Sequence, residues 1–169
     1  LNAASVNVVG ATIGGGGGNG GGATSWANLV LGDYGTVAGG APNEAGLLTN
    51  SGTNAFSFIG GGYLNKASGA QSVIVGGANN IASGNTSTVA GGLSSSILGG
   101  NSNQAAGSYS TVLGGNSNQA AGANSVVAGQ NGSVSAAHPG TFLYADTLPL
   151  AFTSAVSNEF AVRASGGFR

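Results

Sequence analysis

The sequence predicts an all-β chain wound into a parallel β-roll, a solenoid of short coils of about 15 residues. Three observations carry this. Eight Val or Ile residues (Ile13, Val37, Ile59, Ile74, Val89, Ile97, Val112 and Val127) each stand two positions before a Gly, and a second Gly follows in all but the last, where Gln130 stands. The first glycines recur at a regular step, the one from Gly61 to Gly76, which is repeated from Gly76 to Gly91, from Gly99 to Gly114 and from Gly114 to Gly129. The steps from Gly15 to Gly39 and from Gly39 to Gly61 are longer, and that from Gly91 to Gly99 is about half as long. Asn follows three residues after the second Gly at Asn43, Asn65, Asn80, Asn103 and Asn118, and Ala two residues later at Ala45, Ala67, Ala82, Ala105 and Ala120. Short strands ending in tight turns at a fixed period are the signature of a repeat architecture in which each unit packs on its neighbours.

Each part of the repeat has a physical role. In Ser110-Thr-Val-Leu-Gly-Gly-Asn-Ser-Asn-Gln-Ala-Ala-Gly122 the first half reads as a strand with Val112 inward. The second half reads as a short strand around Ala120, closed by Gly. The eight Val/Ile residues are the candidate core of one wall, and the Ala series lines the other. Asn tolerates left-handed turns, and its amide can bond to the copy above, so stacked coils about 4.8 Å apart predict an Asn ladder. From Gly39 to Gly99 the intervals add up to four regular steps, or four full coils. One reading gains half a coil near Leu47–Thr53 and loses it near Leu93–Leu98; the alternative is a surface loop plus an unrelated deletion.

Composition narrows the function classes. Of 169 residues, 35 are Gly and 4% are charged, against roughly 25% in typical domains. No Asp, Glu, Lys or Arg lies between Lys66 and Asp146. Mean hydropathy of +0.21 argues against disorder, which goes with low hydrophobicity and high net charge. A net charge of −1 gives no electrostatic footprint for nucleic acid or anionic lipid. No apolar run nears the roughly 20 residues of a membrane span. There is no Cys, so disulfides and thiolate metal sites are excluded. A start at Leu1 without Met or signal peptide suggests a processed product or a fragment.

A coil lined by Val on one wall and Ala on the other buries little apolar area per ordered residue. Shared burial between chains is therefore expected. The repeat fades after about Gly132, and the chain divides into a β-roll at 1–137 and a C-terminal cap or neck at 138–169, which holds four of the seven charged residues. Phe142, Tyr144, Phe152, Phe160 and Phe168 are large enough to plug a core of Val and Ala. Phe142, Tyr144, Phe160 and Arg163 are the residues expected to lock subunits together, with Arg163 against a carboxylate of a neighbouring chain.

The repeat Ser-Thr-Val-x-Gly-Gly-x-x-Asn-x-Ala-x-Gly resembles the head repeats of trimeric autotransporter adhesins, the YadA-like head. Together with Phe142-Leu-Tyr-Ala-Asp146 and Phe160-Ala-Val-Arg-Ala-Ser-Gly-Gly167 it also resembles Gly-rich repeat proteins of bacteria and tailed phages that often precede an endosialidase-type intramolecular chaperone. The resemblance spans nearly the whole chain. It implies a left-handed roll, a homotrimer, and a place on a bacterial cell surface or a virion tail fibre.

Sites of chemistry are sparse. The run Gly14–Gly22 lacks the Lys-Ser/Thr that a phosphate loop needs. Only Asp33 and Asp146 exist, too few for Ca²⁺-binding β-roll repeats. His138 with Asp146 and a Ser is a formal triad, but no G-x-S-x-G elbow is present. Asp33, Glu44 and Glu159 are scattered. Trp26 and Tyr34 are candidates for stacking on a sugar, or for packing in the core or a trimer contact. Thr12, Thr36, Thr88 and Thr111 precede inward residues as an ice-binding wall would require, but Phe58, Val73 and Val126 interrupt them.

The expected function is therefore a non-catalytic structural or adhesive segment of an extracellular trimeric fibre. It would need no cofactor or metal, and its partner would be a host-surface glycan or matrix protein. The alternatives are a phage tail-fibre segment, a subunit that polymerises end to end, and an ice-binding protein.

Overall fold

The computed structural model describes residues 2–18, 26–46 and 56–167. Within them the chain is an all-β solenoid with two parallel sheets, ten short strands in one and nine in the other. Successive strands alternate between the sheets, so each coil contributes one strand to each wall. Most strands are only two residues long, an outward residue followed by an inward one. Ser96-Ile97 pairs in register with Thr111-Val112, and Thr111-Val112 with Val126-Val127. The regular step between glycines is thus one full turn of the solenoid.

The inward residues make one continuous core. Val37, Ile59, Ile74, Val89, Ile97, Val112 and Val127 are completely buried, as are Ala45, Ala67, Ala82, Ala105 and Ala120. Ile13 is half-buried against the end of this core. Burying one such Val or Ile contributes roughly 1.5–3 kcal/mol.

Half a coil is lost where the short interval from Gly91 to Gly99 falls. Ile74 and Val89 stand in the nine-stranded sheet, whereas Ile97, Val112 and Val127 stand in the ten-stranded sheet. The Ala series makes the opposite switch, so that Val89 pairs with Ala105 and Ile97 with Ala82. The matching half-coil gain does not occur. Positions 47–53 lie outside the described residues, but Val37 pairs directly with Ile59 and Ala45 directly with Ala67. The long interval from Gly39 to Gly61 is thus one full coil carrying extra residues. Gly39 to Gly99 accordingly spans three and a half coils, not four.

The reason a half-coil can be dropped is that both halves share one frame. Each runs from a corner residue of positive φ to a buried polar residue, an outward residue and an inward apolar one. In one half the buried polar residue is Asn65, Asn80, Asn103 or Asn118; in the other it is Ser57, Ser72, Ser87, Ser95, Ser110 or Ser125. The residue before each has φ between 52° and 66°. At the seam, the half ending Thr86-Ser-Thr-Val89 is followed by the half ending Ser94-Ser-Ser-Ile97, two Ser-type halves in succession.

The two sheets continue through Phe142–Ala145, Phe152–Thr153 and Phe160–Arg163. Core positions there are taken by Leu143, Ala145 and Ala161. Phe142, Tyr144 and Phe160 therefore do not plug the core. Strand alternation sends them outward, where Phe142 stacks on Phe160 with ring centroids 5.2 Å apart and Phe160 is 72% exposed. Phe152 does pack against the core. Phe168 lies outside the described residues.

Candidate functional site

The Asn residues form two ladders, one on each side of the seam. The Oδ1 of Asn43 accepts the backbone N–H of Asn65, Asn65 that of Asn80, and Asn80 that of Ser95. Asn103 accepts from Asn118, and Asn118 from Gly132. Each Nδ2 donates to two glycine carbonyls, one in its own coil and one in the next, as Asn80 does to Gly76 and Gly92. Most of these bonds run from side chain to backbone; a direct amide-to-amide bond joins Asn43 Nδ2 to Asn28 Oδ1 at 3.1 Å. These Asn do not occupy the left-handed seats, which for Asn65, Asn80, Asn103 and Asn118 belong to the residues before them (Leu64, Asn79, Ser102 and Ser117). Buried polar groups are retained when hydrogen-bonded, and here the bonds run between coils.

Asp146 and Arg163 form a clasp near the C-terminal end of the described chain. The Arg163 guanidinium donates to Asp146 Oδ1 at 2.7 Å, to the Leu150 carbonyl at 2.6 Å and to the Leu148 carbonyl at 3.0 Å. It also lies 5.4 Å from the Phe152 ring centroid. Arg163 thus has a carboxylate partner within its own chain. Hydrogen bonds from Ser165, chiefly its backbone N–H, with help from Arg163 and Leu148, hold the Asp146 carboxyl well below the usual carboxylate range.

The structure does not bring His138 and Asp146 together as base and orienter. His138 Nδ1 lies 2.7 Å from Ser154 Oγ, a serine that is buried and accepts the Ser135 N–H. The other carboxylates are committed as well. Asp33 accepts from Val9 N–H, Glu159 from Ala155 and Val156, and Glu44 pairs with Lys66. Among the described residues, no three His, Asp or Glu side chains converge as a metal site.

The outer surface carries many large apolar side chains. Leu98, Leu113 and Tyr144 project from the ten-stranded sheet and are 60%, 51% and 41% exposed, while Val75 projects from the nine-stranded sheet at 57%. The seam is the cause: the residue after each inward Val or Ile faces out from whichever sheet holds that strand.

Two aromatic pairs sit on opposite corners of the N-terminal coils. Tyr34 and Phe56 stack nearly parallel with centroids 5.0 Å apart. Trp26 and Tyr63 meet at 5.8 Å and 53°. Both of the aromatics expected to meet a sugar or the core, Trp26 and Tyr34, are exposed. A cavity of about 220 Å³ is lined by Leu29, Pro42, Glu44, Leu64 and Lys66, and neither Trp26 nor Tyr63 lines it. Glu44 and Lys66 are register partners on adjacent strands, and their charged atoms are 2.6 Å apart. Sequence spacing hides the Trp26–Tyr63 contact, because the two rings come together only through coils of irregular length.

No protein-family model matches the chain, and a comparison with curated proteins gives no match.

Proposed function

We propose that this chain is a structural and adhesive segment of an extracellular fibre, a left-handed roll that associates as a homotrimer on a bacterial cell surface or a virion. The observation that carries the reading is the outer surface: large apolar side chains project from both sheets, and the stretch between Lys66 and Asp146 has no Asp, Glu, Lys or Arg. Contiguous exposed apolar surface marks interaction sites in soluble proteins. The core of each coil is thin, one Val or Ile facing one Ala over most of the roll, which favours burial shared between chains. The segment 138–169 serves as a cap or neck in this reading, with Phe142, Tyr144 and Phe160 as the apolar contacts of the assembly. No step of chemistry is assigned to the chain.

Sedimentation equilibrium tests the assembly. The 15.8 kDa chain should give about three times that mass, because stability that depends on shared burial depends on association. A stable monomer that melts cooperatively would refute the trimer. Binding of the purified chain to arrays of matrix proteins and surface glycans tests adhesion, and silence on both would refute that part.

A further inference from the structure

We infer that the nine-stranded wall after the seam binds an extended, neutral β-1,4-linked glycan, an inference that rests on the adhesive reading and names a ligand class for it. Two columns of uncharged polar side chains run along this wall. Asn85, Asn101, Asn116 and Gln130 are register partners at the corner that leads into the sheet. Thr88, Gln104, Gln119 and Ser133 are register partners at the outward positions of the strands themselves. Asn85, Asn101, Asn116 and Gln119 are exposed, and the other four are half-buried. The residues that follow the inward positions here, Ala90, Ala106 and Ala121, are small, so no large side chain keeps a ribbon-like partner from the amides. The opposite wall carries Leu98, Leu113 and Tyr144 instead.

Charge gives the first argument. No Asp, Glu, Lys or Arg stands between Lys66 and Asp146, so an acidic or basic partner would shed the hydration of its charges here without gaining a counter-charge. A neutral partner has no such cost. The free hydrogen-bonding groups give the second. Gln119 Nε2 donates to Gln104 Oε1 at 2.7 Å, and Gln119 Oε1 accepts from Ser133 Oγ at 3.1 Å. These bonds hold both amides in place and leave the Gln104 NH2 group and one Gln119 N–H without an acceptor among the described residues. Hydroxyls, which a neutral sugar carries all round, both accept and donate. Spacing gives the third argument. Coils stack about 4.8 Å apart, close to the length that one pyranose ring adds to an extended β-1,4 chain, so successive rings meet successive coils. A hydrogen bond exchanged for one with water gains little by itself. With no aromatic ring in either column, affinity has to come from repetition along the wall.

Isothermal titration calorimetry of the full chain with cellohexaose, cellobiose and maltohexaose tests this. Cellohexaose should give saturable heat with a midpoint on the order of 1 mM. Cellobiose spans fewer coils and should bind at least about tenfold more weakly. Maltohexaose, whose α-1,4 links coil the chain, should give no saturable heat. Added salt should leave the cellohexaose midpoint unchanged, since no charge takes part. Replacing Gln104 and Gln119 together by Ala should weaken binding at least about fivefold and leave the melting temperature within about 2 °C, as surface substitutions do. Asn101→Ala, in the corner column, should also weaken binding, and Thr111→Ser, on the ten-stranded wall, should not. The inference is overturned if cellohexaose gives no saturable heat, if maltohexaose binds as well, or if binding survives both the double substitution and Asn101→Ala. Inhibition of ice recrystallisation that the double substitution abolishes, with silence toward every sugar, would assign the wall to ice and overturn it too. A chain that ignores cellohexaose yet binds matrix proteins loses the glycan face and keeps its adhesive role.

Discussion

At the scale of single residues, the paired glycines are not equivalent. Gly77 has φ of 92°, and a Cβ there would collide with the carbonyl oxygen of Gly92 in the next coil. Gly76 lies outside the positive-φ region, and a Cβ there would meet nothing within 4 Å. Strain of this kind costs of order 1–3 kcal/mol, and a clash with backbone adds to it. Gly77→Ala should therefore lower the melting temperature by on the order of 10 °C, and Gly76→Ala should leave it within about 2 °C. Equal effects would mean that the coil spacing is wrong. Asp146 makes a second test. Its folded pKa is depressed by Ser165, Arg163 and Leu148, so its contribution to stability is present above the unfolded value of about 3.9 and fades as pH falls toward the folded value. Asp146→Asn should melt earlier than the parent at pH 7, and the gap should narrow as the buffer is taken from pH 4 to pH 2. A gap that widens on acidification would contradict the assigned bonds.

Among the repeating elements, the Asn ladder is where coil meets coil. Asn80→Ala would strand the Ser95 N–H and remove a donor from the Gly76 and Gly92 carbonyls. Leaving buried groups unsatisfied costs about 1–3 kcal/mol each, so a loss of about 3 kcal/mol in denaturant unfolding is expected. Gln119 also bonds across coils, to Gln104 and Ser133, but does so in solvent, and Gln119→Ala should change stability by about 0.5 kcal/mol or less. The ladder positions were legible in the sequence because Asn, Ala and the Gly pair recur together at fixed offsets. The Ser column two residues before Ile59, Ile74, Val89, Ile97, Val112 and Val127 is just as regular and just as buried, yet Ser is so common in this chain that its periodicity does not stand out. The left-handed corners were illegible for a different reason. Some hold Asn, as at Asn79 and Asn124, but others hold Phe56, Leu64, Thr86 and Tyr109, side chains that intrinsically disfavour positive φ, so no consistent propensity signal marks them. The Trp26–Tyr63 ring contact escaped because its residues belong to different coils separated by irregular intervals.

For the molecule as a whole, the dropped half-coil decides which face carries which surface. Before the seam the residues after the inward Val/Ile point out of the nine-stranded sheet, as Val75 does; after it they point out of the ten-stranded sheet, as Leu98 and Leu113 do. Two apolar surfaces therefore lie on opposite walls and toward opposite ends. Because both halves of a coil share a frame, the seam can be undone without breaking register. Inserting a second copy of residues 78–84 (Ala-Asn-Asn-Ile-Ala-Ser-Gly) between Gly92 and Leu93 turns the short interval into a full regular step. Ser95 would then follow a Gly-closed Ala half, as Ser87 follows Gly84, and Ile97 would move into the nine-stranded sheet. Solenoid stability is close to a sum over coils and their nearest-neighbour contacts, so the inserted chain should fold and melt within a few degrees of the parent. Its downstream apolar column, however, would be carried to the other wall, beside Val75. If association uses the two surfaces as the natural seam arranges them, the insertion should leave circular dichroism unchanged while lowering the mass found by sedimentation. A folded insertion variant that keeps its full oligomeric mass would show that assembly ignores these faces, and an insertion variant that fails to fold would show that the two half-coils are not interchangeable.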